Sequence, residues 1–244
     1  MTKSVIVSAY YKIPSKRSHE AYLPTLLNFF RNVVSVPVVF FTTPDVIAEI
    51  HAHDVSTDHV KVVYIPFEEL TAFQRYGVDF WKRQKERDCE HYHTYQLGAI
   101  WYEKKEFVLR TIEIIKADIY IWCDAGCIRD DLSCSAARMF GTRCIDRLND
   151  NRMHLQAIKP PVKQEFYRYR YICIAGAVMT GNEAAWKQYS VVYDSVLVKY
   201  DENKVPAISD QYIIMSSVDK NQDLFRLYTQ RSNVEPWFKF LELI

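Results

Sequence analysis

Short apolar runs alternate with helical apolar patterns along the first quarter of the chain. The pattern predicts strand, helix, strand, helix and strand at residues 5–10, 21–34, 37–42, 44–51 and 61–65. In the first helix Leu26, Phe30 and Val33 fall at i, i+4 and i+7, the spacing of one buried helix face. The second strand, Val-Val-Phe-Phe, lacks polar alternation, as is typical of a strand covered on both faces. This βαβαβ order predicts a mostly parallel sheet with right-handed crossovers.

The remaining chain continues the pattern with longer helices. It predicts helices at residues 80–89, 93–116, 183–199, 209–218 and 236–244, and strands at 118–122, 153–158 and 171–180. Lys104 and Lys105 mark a candidate break in the second of these helices, and residues 128–152 are polar without a clear period. No repeat, low-complexity segment or Gly/Ser linker divides the chain. We therefore predict a single domain over residues 1–244, of the α/β class, with helices flanking the sheet.

Composition narrows the classes of function. The 244 residues carry 31 Lys and Arg against 30 Asp and Glu, a formal net charge of +1. A dedicated nucleic-acid binder needs a strongly basic face, so that class is disfavoured. A local basic pocket for one diphosphate is compatible with the same balance. No apolar run is long enough for a transmembrane segment, and the N-terminus lacks the pattern of a secretory signal.

The cysteines indicate a redox compartment. Six are present without a C-x-x-C pair, and the sequence contains no N-x-S/T acceptor. This pattern favours free thiols in a reducing cytosol over a zinc site or a disulfide framework. The sequence therefore predicts a cytoplasmic protein, and it leaves the oligomeric state open.

The strongest chemical signal is an apolar strand that delivers one carboxylate at its end. The strand predicted at 118–122 is followed by Asp124, and Gly126 comes two residues later. In open α/β sheets, ligands bind outside the carboxyl ends of the strands. A carboxylate there suits Mg²⁺ or Mn²⁺ bridging a diphosphate. The alternative is an aspartate that only caps the following turn.

Three further segments each allow a functional and a structural interpretation. Gly176 and Gly181, inside and after a strand, indicate an edge pressed against a bound molecule, or a bulge followed by a helix cap. Asp210 precedes Gln211 at a helix start, where a carboxylate is favoured by the helix dipole alone. In the segment 166–171, Phe166 is followed by tyrosines alternating with arginines, which fits a phosphate clamp or a plain edge strand.

Taken in order, these motifs resemble the HtrL/YibB-like family, which is grouped with glycosyltransferases of the GT-A type. The resemblance covers roughly residues 4–240. It is carried by Val5-Ile-Val-Ser8-Ala9-Tyr10-Tyr11, by Tyr95 with Glu103-Lys104, by Tyr120-Ile-Trp122-Cys-Asp124-Ala-Gly126-Cys127-Ile-Arg129, by Ala175-Gly176 with Gly181 and Trp186, and by Asp210-Gln211.

The resemblance implies a GT-A-like, Rossmann-related domain. It also implies a glycosyltransferase that moves a sugar from a nucleotide-sugar donor to a glycan or other acceptor, assisted by Mn²⁺ or Mg²⁺. The implied catalytic residues are Asp124, Asp210 and Gln211. The implied donor contacts are Ser8, Ala9, Tyr10, Lys104, Asp124, Ala125, Gly126, Arg129 and Gly176.

The D-x-D motif of GT-A enzymes is incomplete here. Asp124 matches its first position and is the implied metal ligand, but Gly126 stands where the second carboxylate belongs. Asp130 or Asp131 is a candidate substitute. A cationic clamp on the diphosphate is another possibility, and its candidates are Lys104, Lys105, Arg129 and Arg170. The incomplete motif also keeps open a nucleotide-sugar or phosphate-ester hydrolase, and a non-catalytic carbohydrate- or nucleotide-binding module.

Overall fold

The computed structural model describes residues 2–143, 145–229 and 244. Its strands are β1 Ser4–Ala9, β2 Val38–Thr42, β3 Val60–Tyr64, β4 Ile119–Cys123, β5 Met153–Ala157, β6 Ile174–Gly181 and β7 Phe225–Tyr228. Its α-helices are α1 His19–Asn32, α2 Pro44–Ala52, α3 Thr71–Arg87, α4 Tyr95–Ile114, α5 Asp131–Ala137, α6 Glu183–Glu202 and α7 Asp210–Lys220.

The seven strands of this described part form one sheet in the order β3-β2-β1-β4-β6-β5-β7. β1 pairs in parallel with β2 and with β4, and β2 pairs in parallel with β3. β6 runs antiparallel to both β4 and β5, whereas β7 is parallel to β5. The predicted α/β fold, a mostly parallel sheet flanked by helices, is confirmed.

Helices cover both faces of this sheet, which explains the uninterrupted apolar strands. Successive residues of β1 point to opposite faces: Val5 and Val7 pack in one apolar cluster and Ile6 packs in the other. The first cluster is completed by α3, α4, α6 and α7, and the second by α1, α2 and α5. The strands in the middle of the sheet therefore have no polar face, as predicted for β2.

Two helices differ from the sequence expectation. α3 begins at Thr71 rather than at residue 80, and Gly77 interrupts it with a φ of 73°, a left-handed conformation that glycine adopts without strain. α4 is unbroken at Lys104 and Lys105. Both ammonium groups are buried against carboxylates, so the helix accommodates two adjacent charges without ending.

The other differences lie in the second half of the chain. The predicted edge strand at 166–171 is wrong, since Tyr169–Tyr171 form a short 3-10 helix and β6 begins only at Ile174. Strand β7 was not predicted, and α5 falls in the segment without a clear period. The helix predicted at 236–244 lies outside the described residues except for Ile244.

Two further predictions from the sequence concern membrane-spanning helices and the cysteines. No helix within the described ranges is both long enough and apolar enough to traverse a bilayer. The cysteines whose surroundings are described are all free thiols, as predicted; they are Cys89, Cys123, Cys127, Cys134 and Cys173.

Candidate active site

A cleft of about 820 Å³ opens at the carboxyl ends of β1 and β4. These two strands are parallel neighbours, and the chain connections leave them in opposite directions across the sheet. Such a switch point is where open α/β sheets bind ligands, because the loops after the two strands diverge. Ala9 and Tyr10 line the cleft after β1, and Asp124, Ala125 and Gly126 line it after β4.

The walls of the cleft are cationic and aromatic. Its positively charged lining residues are Lys16, Arg17, Lys104, Arg129 and Lys159. Its aromatic lining residues are Tyr10, Tyr11, Tyr22, Tyr92, Trp101, Trp122 and Tyr169. Asp124 is the one carboxylate among the described lining residues. This composition suits an anionic ligand that also carries flat or ring-shaped groups.

Asp124 is held in a fixed orientation on the cleft floor. Its backbone N–H donates to the carbonyl of Ala177 at 2.8 Å, and Trp122 Nε1 donates to its Oδ1 at 2.7 Å. Lys104 Nζ lies 3.0 Å from Oδ1 and 3.3 Å from Oδ2. The carboxylate side chain is 34% exposed, so part of it faces the cleft while the rest is anchored.

Lys104 reaches the same place from α4 and is almost completely buried. Its Nζ lies 2.8 Å from Asp210 Oδ2 and donates to the carbonyl of Gly176 at 3.0 Å. Burial alone lowers the pKa of this ammonium, but the attraction of Asp124 and Asp210 more than offsets it, so the pKa is raised above its ordinary value. Lys104 is therefore charged at neutral pH and links the two carboxylates.

Asp210 is the buried member of this ion cluster. It is the first residue of α7, and burial raises the pKa of its carboxyl despite the opposing attraction of Lys104. Its Oδ2 accepts no directed hydrogen bond, so the close contact with Lys104 is an ion pair. A Cβ on Gly176 would stand 2.9 Å from this oxygen. The glycine therefore leaves room for Asp210, and it is not among the residues that line the cleft; its role as a donor contact stays a prediction.

The structure brings most of the other candidate residues to the cleft and excludes one. Gln211 lines the cleft and donates from Nε2 to the carbonyl of Ile174 at 2.9 Å. Arg129 also lines it and donates from Nε to the carbonyl of Gly126 at 2.8 Å. Ser8 is buried and is not among the cleft residues, because its Oγ donates to the carbonyl of Cys123 and ties β1 to β4.

Tyr10 belongs to a hydrogen-bonded chain along one wall. Its hydroxyl lies 2.7 Å from His19 Nδ1, and His19 Nε2 lies 2.7 Å from Glu49 Oε2. Lys12 Nζ closes the chain at 2.7 Å from the same carboxylate oxygen. Burial raises the pKa of the Tyr10 phenol well above its usual range. Tyr10 therefore stays neutral and is positioned to hydrogen-bond a ligand rather than to act as a base.

Three of the proposed substitutes and clamp residues lie elsewhere. Lys105 is not among the cleft residues and pairs instead with Glu106 and with Asp194. Asp130 caps α5 by accepting from the backbone N–H of Ser133 at 2.8 Å. Asp131 is an exposed residue in the first turn of the same helix. Neither aspartate is among the cleft residues.

Several cleft residues were not singled out from the sequence. Lys16 and Arg17 lie in the loop between β1 and α1, and the Lys16 ammonium sits over the Tyr92 ring at 4.8 Å from its centroid. Lys159 follows β5, and Trp101 lies on α4. The sequence signal that could have identified Lys16 and Arg17 is their place in the loop that follows β1, a strand whose carboxyl end faces the cleft.

A divalent cation fits the donor set around Asp124 poorly. Both of its oxygens contact Lys104, one of them also accepts from Trp122, and Gly126 offers no second carboxylate. A different group of the described residues could hold a metal ion by distance: ligand atoms of Asp88, Glu90 and His93 lie within 4.8 Å of one another. Within that group Asp88 Oδ2 already pairs with His93 Nδ1 at 2.8 Å.

Comparison with known proteins supports the fold. No family model matches the chain, and no curated protein sequence matches it. Among solved structures, mouse xyloside xylosyltransferase 1 in its apo form has a TM-score of 0.54 at 10% identity, covering 93% of this chain and 85% of that one. The CMP:2-keto-3-deoxy-manno-octonic acid synthetase complexed with CTP has a TM-score of 0.53 at 11% identity, covering 95% and 91%.

These likenesses define the class of fold. The chain has a GT-A-like α/β fold, with its cleft at the switch point of the sheet. Membership in the HtrL/YibB-like family gains no support from a family match and stays a prediction.

Proposed function

We propose that the protein is a glycosyltransferase that moves a sugar from a nucleotide-sugar donor to a carbohydrate acceptor in this cleft. The observation that carries the proposal is the Asp124–Lys104–Asp210 ion cluster on the floor of a cationic, aromatic cleft at the sheet switch point. A buried charge cluster of this kind is costly to keep and is frequent at functional sites.

Each part of a nucleotide sugar finds suitable partners in the cleft. Arg17, Lys16 and Lys159 supply charge for the diphosphate, since guanidinium and ammonium groups bind phosphate oxygens. Tyr92 and Trp101 supply ring faces and edges for the base or the sugar. The cleft volume of about 820 Å³ is within the range of pockets that enclose ligands of this size.

The same residues fit the chemistry of glycosyl transfer. The bond from the anomeric carbon to the diphosphate oxygen breaks, a bond to the acceptor oxygen forms, and the acceptor's proton leaves with the diphosphate. The cationic walls stabilise the departing diphosphate, and the exposed edge of Asp124 stabilises positive charge at the anomeric carbon. Gln211 offers an amide to orient the sugar. Asp210 acts through Lys104 and is a positioning residue.

The predicted Mn²⁺ or Mg²⁺ is not required by this scheme. Asp124 would be the residue to hold the ion, but its oxygens are already engaged by Lys104 and Trp122. A divalent cation would supply Lewis-acid stabilisation of the leaving group, and the cationic walls offer that stabilisation themselves.

The fold is shared with a glycosyltransferase and with a synthetase complexed with CTP, so the fold does not choose between transfer and nucleotidyl chemistry. A thermal-shift panel of nucleotide sugars and free nucleoside triphosphates, in EDTA and in Mn²⁺, identifies the ligand. A ligand at 100 times its Kd stabilises the folded state by about 2.7 kcal/mol. Product analysis with and without carbohydrate acceptors then separates a transferase from a hydrolase or a binding module.

Arg17→Ala is expected to weaken donor binding roughly tenfold and so to lower the stabilisation from about 2.7 to about 1.4 kcal/mol at the same ligand concentration. Lys187→Ala is the matched control, since Lys187 pairs with Glu183 on α6 and is not among the cleft residues. A nucleotide sugar that stabilises both variants and the unaltered protein equally binds outside the cleft and contradicts the proposal.

Residues 1–244 are also proposed to form one domain in a cytoplasmic protein. The single seven-stranded sheet of the described residues supports the single domain, and the free thiols support the cytoplasmic location. A single domain should unfold in one cooperative transition. Cell fractionation tests the location.

A further inference from the structure

We infer that the Lys104 ammonium takes the place of a divalent cation between Asp124 and Asp210, and that the cleft binds the donor diphosphate without a metal. The inference rests on the proposed function and deepens it, because it names what neutralises the leaving group.

Lys104 is surrounded by oxygen atoms in the way a bound cation would be. Its Nζ lies within 3.3 Å of oxygens from Asp124, Asp210 and Gly176, which come from the loop after β4, from α7 and from β6. The side chain is only 5% exposed. An ion competing for these oxygens would have to expel a buried, charged lysine from its two carboxylate partners.

Asp124 has little capacity left for an ion. Trp122 Nε1 occupies Oδ1 from one side and Lys104 contacts both oxygens from another. A divalent cation on the remaining edge would lie close to the Lys104 ammonium, and like charges at such separations repel strongly in a partly buried site. With its charge partly balanced by Lys104, Asp124 is therefore a weak ligand for a divalent ion.

The second carboxylate of a metal-binding pair is missing although there is room for it. A Cβ at Gly126 would meet Tyr22 Cε1 at 3.5 Å, which is ordinary van der Waals contact. Asp130 does not compensate because its side chain caps α5. Hard divalent cations rely on anionic oxygen ligands, and the described residues of the cleft provide one carboxylate, Asp124.

Positive charge is instead supplied by the walls. Among the residues that the structure describes, four cationic side chains besides Lys104 line the cleft, namely Lys16, Arg17, Arg129 and Lys159. A diphosphate carries a charge of about −2 when esterified at both ends, so these side chains can neutralise it directly. Arginine also presents paired donors that match two phosphate oxygens.

The first test uses inorganic pyrophosphate, which requires no knowledge of the base or the sugar. Isothermal titration in excess EDTA is expected to show saturable binding to the unaltered protein. Arg17→Ala and Lys16→Ala should each weaken it by roughly tenfold, the usual loss for one charged hydrogen bond, while Lys187→Ala leaves it unchanged. Absence of binding in EDTA, or binding that appears only with Mn²⁺, overturns the inference.

The second test uses Mn²⁺ alone, followed by electron paramagnetic resonance. The unaltered protein and Asp124→Asn are expected to bind the same amount of Mn²⁺, so that any ion held by Asp88, Glu90 and His93 is subtracted. Lys104→Met vacates the oxygen cluster and should gain a site that Asp124→Asn removes again.

Mn²⁺ binding to the unaltered protein that is lost in Asp124→Asn contradicts the inference, even where Lys104→Met fails to fold. A folded Lys104→Met protein that gains no site contradicts it as well. Sugar transfer that depends on Mn²⁺ at Asp124 overturns the inference and keeps the proposed function. Metal-free pyrophosphate binding without transfer from any nucleotide sugar supports the inference and overturns the proposed function.

Discussion

Removing the charge of Lys104 should destabilise the protein, and the loss should depend on pH. Lys104→Met keeps most of the aliphatic stem but leaves Asp210 buried without a counter-ion. Breaking a buried pair by removing one partner costs about 3–5 kcal/mol, because an uncompensated charge remains. Asp124 is partly exposed, so solvent limits the cost on its side.

The pH dependence follows from Asp210. Burial already raises the pKa of its carboxyl, and loss of the ammonium raises it further. A folded-state pKa above the unfolded one means that stability is fully present below the unfolded pKa and is lost as pH rises through the folded one. We expect a loss of about 4 kcal/mol at pH 8 that shrinks by about 1.4 kcal/mol for each pH unit below that folded pKa.

Urea denaturation of four proteins at pH 8 and pH 5 measures these values: the unaltered protein, Lys104→Met, Asp210→Asn and the double variant. At pH 8 the double variant should recover at least about half of the stability that Lys104→Met loses, because Asp210→Asn removes the buried charge that lacks a counter-ion. Equal losses at both pH values, with additive losses in the double variant, would show that the cost lies in packing and refute the reasoning.

Three further predictions concern neighbouring residues. Gly176→Ala should lower the free energy of unfolding by about 1–3 kcal/mol in thermal denaturation, since its Cβ would stand 2.9 Å from Asp210 Oδ2. Gly126→Ala is the neutral control, because its Cβ would meet no atom closer than 3.5 Å. Equal melting temperatures of the two variants would contradict the prediction. Trp122→Phe removes the donor to Asp124 Oδ1 and should lower kcat roughly tenfold or more. Trp81→Phe is the control, because the Trp81 indole donates to the carbonyl of Ala72, and it should leave kcat unchanged. A normal kcat in Trp122→Phe would show that this hydrogen bond does not support turnover. Burial lowers the pKa of His154 despite the attraction of Asp150. The contribution of His154 to the free energy of unfolding is therefore present above its unfolded pKa of 6.5 and is lost as pH falls through the folded pKa. If His154→Gln leaves the slope of unfolding free energy between pH 7 and pH 5 unchanged, this prediction is contradicted.

The strands around the site were predictable because their physical signal is local. Val-Val-Phe-Phe in β2 and Ile-Tyr-Ile-Trp in β4 are apolar on both faces, and the sheet does bury both faces. The position of Asp124 followed from the end of β4. Strand β7 escaped prediction because it has four residues, an exposed Arg226 and a single partner strand.

The ion cluster could not be predicted because it depends on tertiary placement. Lys104 and Lys105 are adjacent in the sequence, yet they leave α4 in different directions and meet different carboxylates. Nothing local distinguishes them. A glycine in a strand indicates that another group approaches the backbone closely, but it does not show whether that group is a ligand or a side chain. In the structure the group nearest to Gly176 is the side chain of Asp210.

The central claim is that Asp124 serves sugar transfer in the cleft, and a comparison of two aspartate variants tests it most directly. Once the donor is identified, kcat is measured for the unaltered protein, Asp124→Asn and Asp130→Asn, together with their melting temperatures. Asp130 lies six residues further along the chain outside the cleft, and asparagine preserves its capping role. We predict that Asp124→Asn loses about 100-fold or more in kcat while remaining folded, and that Asp130→Asn retains normal turnover. Normal turnover by a folded Asp124→Asn protein would contradict the account.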